Sequence, residues 1–547
     1  MEEKIRLLWH RVYGNTFDTV LTKVLSELNS AKKDYPFGET QNPDWYKDAV
    51  IYSTYVDHFA HNFDGMQNKL EYLQTLGINT LWFLPILESP MADQGFDISN
   101  YKKVRSSLGG TDQFTEFLSH AHEADIRVIF DMALNHTSNK HPWFQSACSD
   151  KNSPYRNFYI WNDSPDKYKD ARLLFKGMVN SNWEYNQKTG DYYFHRFYGF
   201  QPDLNYGNAE VFLEMLRICI YWQRKGVDGL RMDAIPFLWK EEHTDCENRP
   251  KTHTLIKLFR ACLDSICEGT MLIAEANMRP KHVVEYFGNG DECHTAYHFP
   301  LMPRFYLAIA EADDTYITRT ISEKVTPPIP DTCQWLSFLR CHDELTLEFV
   351  NPEEREKMNQ YFLKSLQLSF REGEGIAGRL FNLLDGDTDK ILTMYSMLFT
   401  TIGTPIIYYG DEIGAENDSD FFDASVKQTG YTDARFYNRG PMPWDKADKA
   451  IQKPLSPEGR IFSCLKDMIH FKHNHTELFR AASRFPDIGK TGFYTVRKET
   501  GNEQFLAVHN LTDKRKTLNI SGIDAFTGKK YTDLEIAAHT FKWILLK

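Results

Sequence analysis

Short apolar runs alternating with helix-spaced patterns fill the middle of this 547-residue chain. Strand-like runs fall at residues 49–56, 80–85, 127–134, 229–234, 271–276, 294–300, 334–342 and 405–412. Most are followed by stretches such as 70–76, 114–124 and 213–226, whose apolar residues recur every three or four positions, the period of an amphipathic helix. Eight strands alternating with helices predict an α/β fold, a (β/α)8 TIM barrel built from residues 45–135 and 206–479. Residues 136–205 are rich in Tyr, Trp, Asn and Asp. They are too long for a structureless loop, and predict a small domain inserted after strand 3, overhanging the barrel rim.

Both ends change character. Over residues 1–44, Ile5, Leu7, Leu8, Val12, Leu21, Val24 and Leu25 recur near helical spacing, until Pro36, Gly38 and Pro43 break the pattern. This predicts an N-terminal helical extension that packs either on the barrel or on a second subunit, so a homo-oligomer is compatible with it. Beyond residue 480 the period shortens to alternation at 492–497, 504–509, 516–520 and 540–546, which predicts a C-terminal antiparallel β-sandwich domain over 480–547. The longest apolar stretch, 391–409, is interrupted by Gly403 and Pro405 and reads as a buried helix leading into a strand, not a membrane span.

A net charge of -12 argues against nucleic-acid and anionic-membrane partners, which need a basic face. The first ten residues are charged and lack a long apolar core, so no signal peptide is expected. Nine cysteines, an odd number without metal-type spacing, suit scattered thiols in a reducing compartment. The expected location is cytoplasmic.

Three predicted strands run into a carboxylate. Asp233 closes Gly229-Leu230-Arg231-Met232-Asp233, Glu275 closes Met271-Leu272-Ile273-Ala274-Glu275, and Asp343 closes Phe338-Leu339-Arg340-Cys341-His342-Asp343. On the C-terminal rim of a barrel such side chains leave the packed interior. Carboxylate pairs there suit glycoside chemistry, one as nucleophile and one as acid. Arg231 shares a strand face with Asp233 at spacing i, i+2 and is placed to hold it ionised. Asp57, Asp97 and Asp203 fall in rim loops, where any single one reads equally as a helix cap.

These residues carry a family resemblance. The chain resembles the α-amylase superfamily (glycoside hydrolase family 13) through Gly95-Phe96-Asp97-Ile98-Ser99-Asn100-Tyr101, Asp131-Met132-Ala133-Leu134-Asn135-His136, Gln201-Pro202-Asp203-Leu204-Asn205, Glu275-Ala276-Asn277, His342-Asp343 and Gly403-Thr404-Pro405, besides the Asp233 segment. The likeness runs from about Trp45 to the C-terminus. It implies retaining chemistry with Asp233 as nucleophile, Glu275 as acid/base and Asp343 as transition-state stabiliser. Phe96, His136, Gln201, Arg231 and His342 would bind the sugar.

Within the superfamily the closest likeness is to trehalose synthases, which isomerise maltose to trehalose. It rests on Lys169-Asp170-Ala171-Arg172, Thr244-Asp245-Cys246-Glu247-Asn248-Arg249-Pro250 and His342-Asp343-Glu344-Leu345-Thr346-Leu347-Glu348, among others. In that group Asp97 and an arginine, here best matched by Arg439, block the pocket behind the first glucose, which implies small α-glucosides such as maltose. Isomerisation further requires a lid that keeps freed glucose in and water out. Trp183, Tyr185, Tyr192, Tyr193, Phe197 and Tyr198 would supply it, or else form the core of the inserted domain. The alternative activity is an exo-acting α-glucosidase or amylase that hydrolyses short α-glucans. A non-catalytic amylase-like module would have lost one of the carboxylates.

Four departures stand out. Phe96 replaces the usual stacking tyrosine, and Cys341 replaces the asparagine before His-Asp. Residues 420–444 match no relative closely. The fourth concerns metal. The loop 56–65 offers few of the oxygens a hard cation needs, and where Asn135, Asp203 and carbonyls near Phe237 and Leu238 would hold calcium, Lys240 replaces a glutamate ligand. No cofactor is expected, and calcium is disfavoured.

Overall fold

The computed structural model describes residues 1–38, 42–175, 177–430 and 432–546. Eight parallel strands close into a barrel: β1 Ile51–Thr54, β2 Thr80–Phe83, β3 Arg127–Ala133, β4 Gly229–Asp233, β5 Met271–Ala274, β6 Thr295–Tyr297, β7 Gln334–Phe338 and β8 Thr404–Tyr408. Each pairs with its sequence neighbours, and β8 closes on β1 through Ile51 opposite Ile406. The strands are buried almost throughout, as sheets covered on both faces require. Gly403, which leads into β8, has φ +87°, and a Cβ there would lie 2.6 Å from the Trp335 carbonyl oxygen.

The predicted strands overran at their C-terminal ends. β7 stops at Phe338, so Asp343 stands five residues beyond the ladder instead of closing it. Arg340 bridges the gap: its guanidinium donates to the Gly378 carbonyl and, at 2.8 Å, to the Asp343 carbonyl.

Residues 136–205 contain a three-stranded antiparallel sheet in which Asp191–Phe194 lies between Trp161–Asn162 and Trp183–Asn186. A second small sheet follows β7, made of Leu345–Thr346, Gly375–Ile376 and Ser369–Phe370. The C-terminal region holds a five-stranded antiparallel sheet and the pair Lys516–Leu518 with Leu534–Ile536. They pack over Phe493, Leu506, Val508, Leu518, Leu534, Ile536 and Ile544. Three strands of two or three residues, Gly522–Asp524, Lys530–Tyr531 and Leu534–Ile536, escaped the sequence reading.

The N-terminal residues form two helices, α1 Glu2–Tyr13 and α2 Asp18–Lys33, separated at Gly14 with φ +62°. Both pack on the outer helices of their own barrel, Ala209–Arg224 and Pro250–Ile266. Trp9 meets Phe212 edge-on at 5.9 Å between ring centroids, Lys23 pairs with Glu210 at 2.7 Å, and Arg217 pairs with Glu27. Among the described residues no helix is long and apolar enough to cross a membrane, and no two cysteines form a disulfide.

Candidate active site

β4 and β5 are adjacent in register, Met232 beside Ala274, which sets Asp233 and Glu275 side by side at the rim. Arg231 organises them. Its Nη1 lies 2.8 Å from Asp233 Oδ1 and 2.5 Å from Asp131 Oδ1 on β3, and its Nη2 lies 3.6 Å from Glu275 Oε1. The Ala234 backbone N–H, held at φ 56°, donates to Glu275 Oε2 at 2.9 Å. Trp82 on β2 donates to the other oxygen of Asp131.

The electrostatics depart from the sequence expectation that Arg231 keeps Asp233 ionised. Burial, and then the Glu275 carboxylate, push the Asp233 carboxyl well above the usual range against the pull of Arg231. One guanidinium is shared among three carboxylates, so none receives its full attraction. Burial likewise pushes Asp131 up to about 6.

Asp343 is the opposite case. Although burial opposes it, His342, Arg435 and Arg439 hold its carboxyl well below the carboxylate range. His342 Nε2 lies 3.0 Å from Oδ2, while Arg435 Nη1 and Arg439 Nη2 donate to Oδ1 at 2.9 and 3.1 Å. Burial lowers His136 and His342 to about 4, so near neutral pH both imidazoles are uncharged. Gln201 reaches His136 at 3.3 Å, and Phe96 stacks on His342 at 5.7 Å between centroids. Phe96 thus retains the flat face of the residue it replaces.

Asp233, Glu275, Asp343, Phe96, His136, Gln201, Arg231 and Arg439 line one cavity of about 130 Å³, together with Asp93, Phe175, Phe197, Asn277, Phe299, Cys341, Glu344, Thr346, Arg371 and Arg435. That is small against the roughly 300–1,000 Å³ of ordinary ligand clefts. Its size suits a small ligand.

The placement of Asp97 needs correcting. Its carboxylate is buried and turned back into its own loop, where Ser89 Oγ and the backbone N–H groups of Ala92 and Asp93 donate to it. The carboxylate that lines the cavity belongs to Asp93, which accepts from Gln201 Nε2 at 2.9 Å. The motif reading chose the second of two aspartates four residues apart. The first, in a loop of small and polar residues, carried no pattern of its own.

Arg435 was also missed as a site residue. It grips Asp433 with two nitrogens and still reaches Asp343. It sits in the segment 420–444, which matches no relative closely and offered only Arg439 as a counterpart. Of the six aromatics proposed for a lid, only Phe197 lines the cavity, joined by Phe175 at 5.7 Å. Trp183 packs with Phe194 in the small core of the insert, Tyr193 belongs to the main core, and Tyr185 is exposed.

Charge ties the insert to the barrel loops. Arg172 of the insert pairs with Glu247, beyond β4, at 2.9 Å and with Glu348, beyond β7, at 3.0 Å. Arg196 also binds Glu247, at 2.6 Å.

The residues implied for calcium do not fit a cation. Lys240 Nζ lies 2.8 Å from both Asn135 Oδ1 and Asp203 Oδ2, with the Leu204 carbonyl at 3.5 Å. An ammonium stands where the ion would. After β1, the chain coils into the helix Val56–Ala60, and Asp57 pairs with Arg105 at 3.1 Å. Among the described residues no group of three or more His, Cys, Asp or Glu is arranged to hold a metal.

Residues 37–453 match the family model "Alpha amylase, catalytic domain". The chain is 42% identical over 384 residues to the trehalose synthase/amylase TreS of Mycobacterium tuberculosis, covering 68% of this chain and 63% of that protein. It is 42% identical over 429 residues to the trehalose synthase of Thermus thermophilus, covering 77% of this chain and 43% of that protein. The chain therefore spans less than two thirds of the length of these relatives. A crystal structure of a trehalulose synthase in complex with Tris shares the fold, with a TM-score of 0.72 at 21% identity, over 92% of this chain and all of that one.

Proposed function

The chain belongs to the α-amylase family, and from that premise we propose that it is a retaining α-glucoside-active enzyme that isomerises maltose to trehalose through a covalent glucosyl-enzyme. Three carboxylates converging in a small pocket beneath a bridged lid carry the reading. The likeness to proteins named trehalose synthase directs it to maltose.

In the first step Glu275 gives a proton to the glycosidic oxygen while an Asp233 oxygen attacks the anomeric carbon, breaking the bond and freeing glucose. Asp233 must be deprotonated to attack, and Arg231, 2.8 Å from its Oδ1, favours that form. Asp343, kept ionised by its two arginines, faces the positive charge that develops on the ring. In the second step the freed glucose turns over, its anomeric hydroxyl attacks the glucosyl-enzyme, and Glu275 takes that proton back. The Arg172 bridge to Glu247 and Glu348 holds the insert down meanwhile, which keeps water from competing.

No calcium enters this scheme. We propose that Lys240 takes the place of the ion, tying the insert to the barrel through Asp203 and Asn135. A cytoplasmic location goes with the scattered thiols.

Incubation with maltose followed by proton NMR tests the reading. Trehalose is expected ahead of free glucose. Glucose without trehalose would make the protein an α-glucosidase in which water wins the second step.

A further inference from the structure

Behind Asp343 lies a group of buried charges that no reaction step touches. Asp411 and Glu412 follow β8, Arg340 and Arg379 come from the segments beyond β7, and all four are at most 2% exposed. The hydroxyls of Tyr52 and Tyr72 donate to Glu412 at 2.8 and 2.7 Å. Asp411 feels both guanidiniums, Arg379 more than Arg340. Arg379 Nη1 stands 4.0 Å from its Oδ1, and the Tyr395 hydroxyl donates to its Oδ2 at 3.4 Å. Arg340 Nη1 and Asp411 Oδ1 are both buried without a hydrogen-bond partner among the described residues, so this carboxylate acts on the arginines chiefly through its charge.

Each arginine in turn grips backbone next to a group at the site. Arg340 donates to the carbonyl of Asp343 itself and, through Nε, to that of Gly378. Arg379 donates to the carbonyls of Tyr409 and Gly440, and the Tyr409 hydroxyl donates to those of Arg439 and Gly440 at 3.0 and 2.6 Å. Arg439 closes the loop, with its guanidinium on Asp343 Oδ1 and on the His342 carbonyl. Asp411 thus sits between two arms, one ending on Asp343 and the other on the backbone that carries Arg439.

From this arrangement we infer that Asp411 is a positioning residue: by drawing Arg340 and Arg379 together behind the site, it fixes where Asp343 and Arg439 stand against the reacting ring. The inference rests on the retaining chemistry proposed above. Asp411 touches no sugar and acts only through the two arginines. Positive charge develops on the ring in forming and in breaking the glucosyl-enzyme, so a displaced Asp343 costs transition-state stabilisation in both steps and little ground-state binding. Burial pushes the Asp411 carboxyl up to about 7, against the pull of Arg379 and Arg340. Glu412 adds to that rise, and the buried hydroxyls of Tyr395 and Tyr306 complete the titratable groups around it.

The test follows fluoride release from α-glucosyl fluoride, in which Asp233 displaces fluoride at the anomeric carbon whatever acceptor follows. Asp411→Asn keeps the shape and removes the charge. At pH 8 its kcat is expected to fall tenfold or more while KM changes less than twofold. The ratio of wild-type to variant kcat should shrink as pH falls through about 7, because protonation of Asp411 imitates the amide. A purely structural role would leave that ratio flat. Arg340→Lys keeps a charge opposite Asp411 but cannot fork between two carbonyls, and should lose kcat in the same sense. The double variant should lose no more than the worse single one, since the two residues act in series. An unchanged kcat in Asp411→Asn, a loss carried by KM, a flat ratio or additive losses would each overturn the positioning role alone. Wild-type protein that releases no fluoride overturns the retaining reading, and the positioning role with it.

Discussion

Replacing Lys240 by methionine removes one charge from a buried ion pair and leaves its partner behind. The Lys240 and Asp203 side chains are 2% and 0% exposed, and they meet at 2.8 Å. Breaking a buried pair from one side costs about 3–5 kcal/mol, because the remaining charge is stranded in a poor solvent. Asp203 keeps one bond, from the Arg196 backbone N–H at 3.0 Å, which places the expected loss near 3 kcal/mol, the lower end of that range. With a urea m-value near 3 kcal/mol/M, the unfolding midpoint read by tryptophan fluorescence should fall by about 1 M. Asp203→Asn combined with Lys240→Met takes away both charges and should recover most of the loss. The single variant opens a cluster of oxygens, so millimolar calcium should raise its midpoint while leaving the wild type unmoved. A loss below about 1 kcal/mol in the single variant, or a double variant less stable than the single, would refute the reasoning.

Three further outcomes are expected. Asp233→Ala should lower the release of fluoride from α-glucosyl fluoride by more than about 10³-fold, and unchanged turnover would dismiss the catalytic assignment. Burial raises Asp93 to about 6, so its ionised form opposes folding, and the stability it withholds is lost as pH rises from its unfolded value through about 6. Asp93→Asn should therefore melt higher than wild type at pH 7.5 and equally at pH 4, while its KM for maltose rises; equal melting at both pH values would show that the charge carries no such penalty. Burial, and then Lys472, lower Lys498 to about 7, so its neutral form is favoured in the fold and stability grows as pH climbs above about 7 toward the unfolded value. Lys498→Met should flatten that rise in a melting series from pH 6 to 9, and a slope equal to wild type would exclude Lys498 as its source.

The barrel was legible because each strand is buried on both faces, so runs such as 128–130 and 271–274 are continuously apolar whatever surrounds them. The short strands at Gly522–Asp524 and Lys530–Tyr531 were not, since three residues contain no period. The same contrast divides the site. Asp233 and Glu275 stand at strand ends, where local pattern fixes position. Asp93, Arg371 and Arg435 reach the cavity from irregular loops, and only long-range packing puts them there. Asp97 shows the hazard directly: a motif names a segment, and the fold decides which of its carboxylates faces the substrate. The pull of Arg231 on Asp233 was overestimated for a related reason, because Arg231 was seen with one partner along the strand and not with Asp131 and Glu275 across the sheet.

The two N-terminal helices carry a consequence for how the chain is made. Their apolar stripes, including Leu8, Trp9, Val12, Leu21, Val24 and Leu28, are buried where the two helices pack on helices that end at Arg224 and Ile266. At translation rates of about 5–20 residues per second, the covering surface is complete some 10–50 seconds after α2 has been synthesised. During that interval the apolar stripes of the two helices lack their covering surface. The two helices thus wait for a surface completed only at Ile266, which makes them a natural handle for chaperones that bind nascent chains.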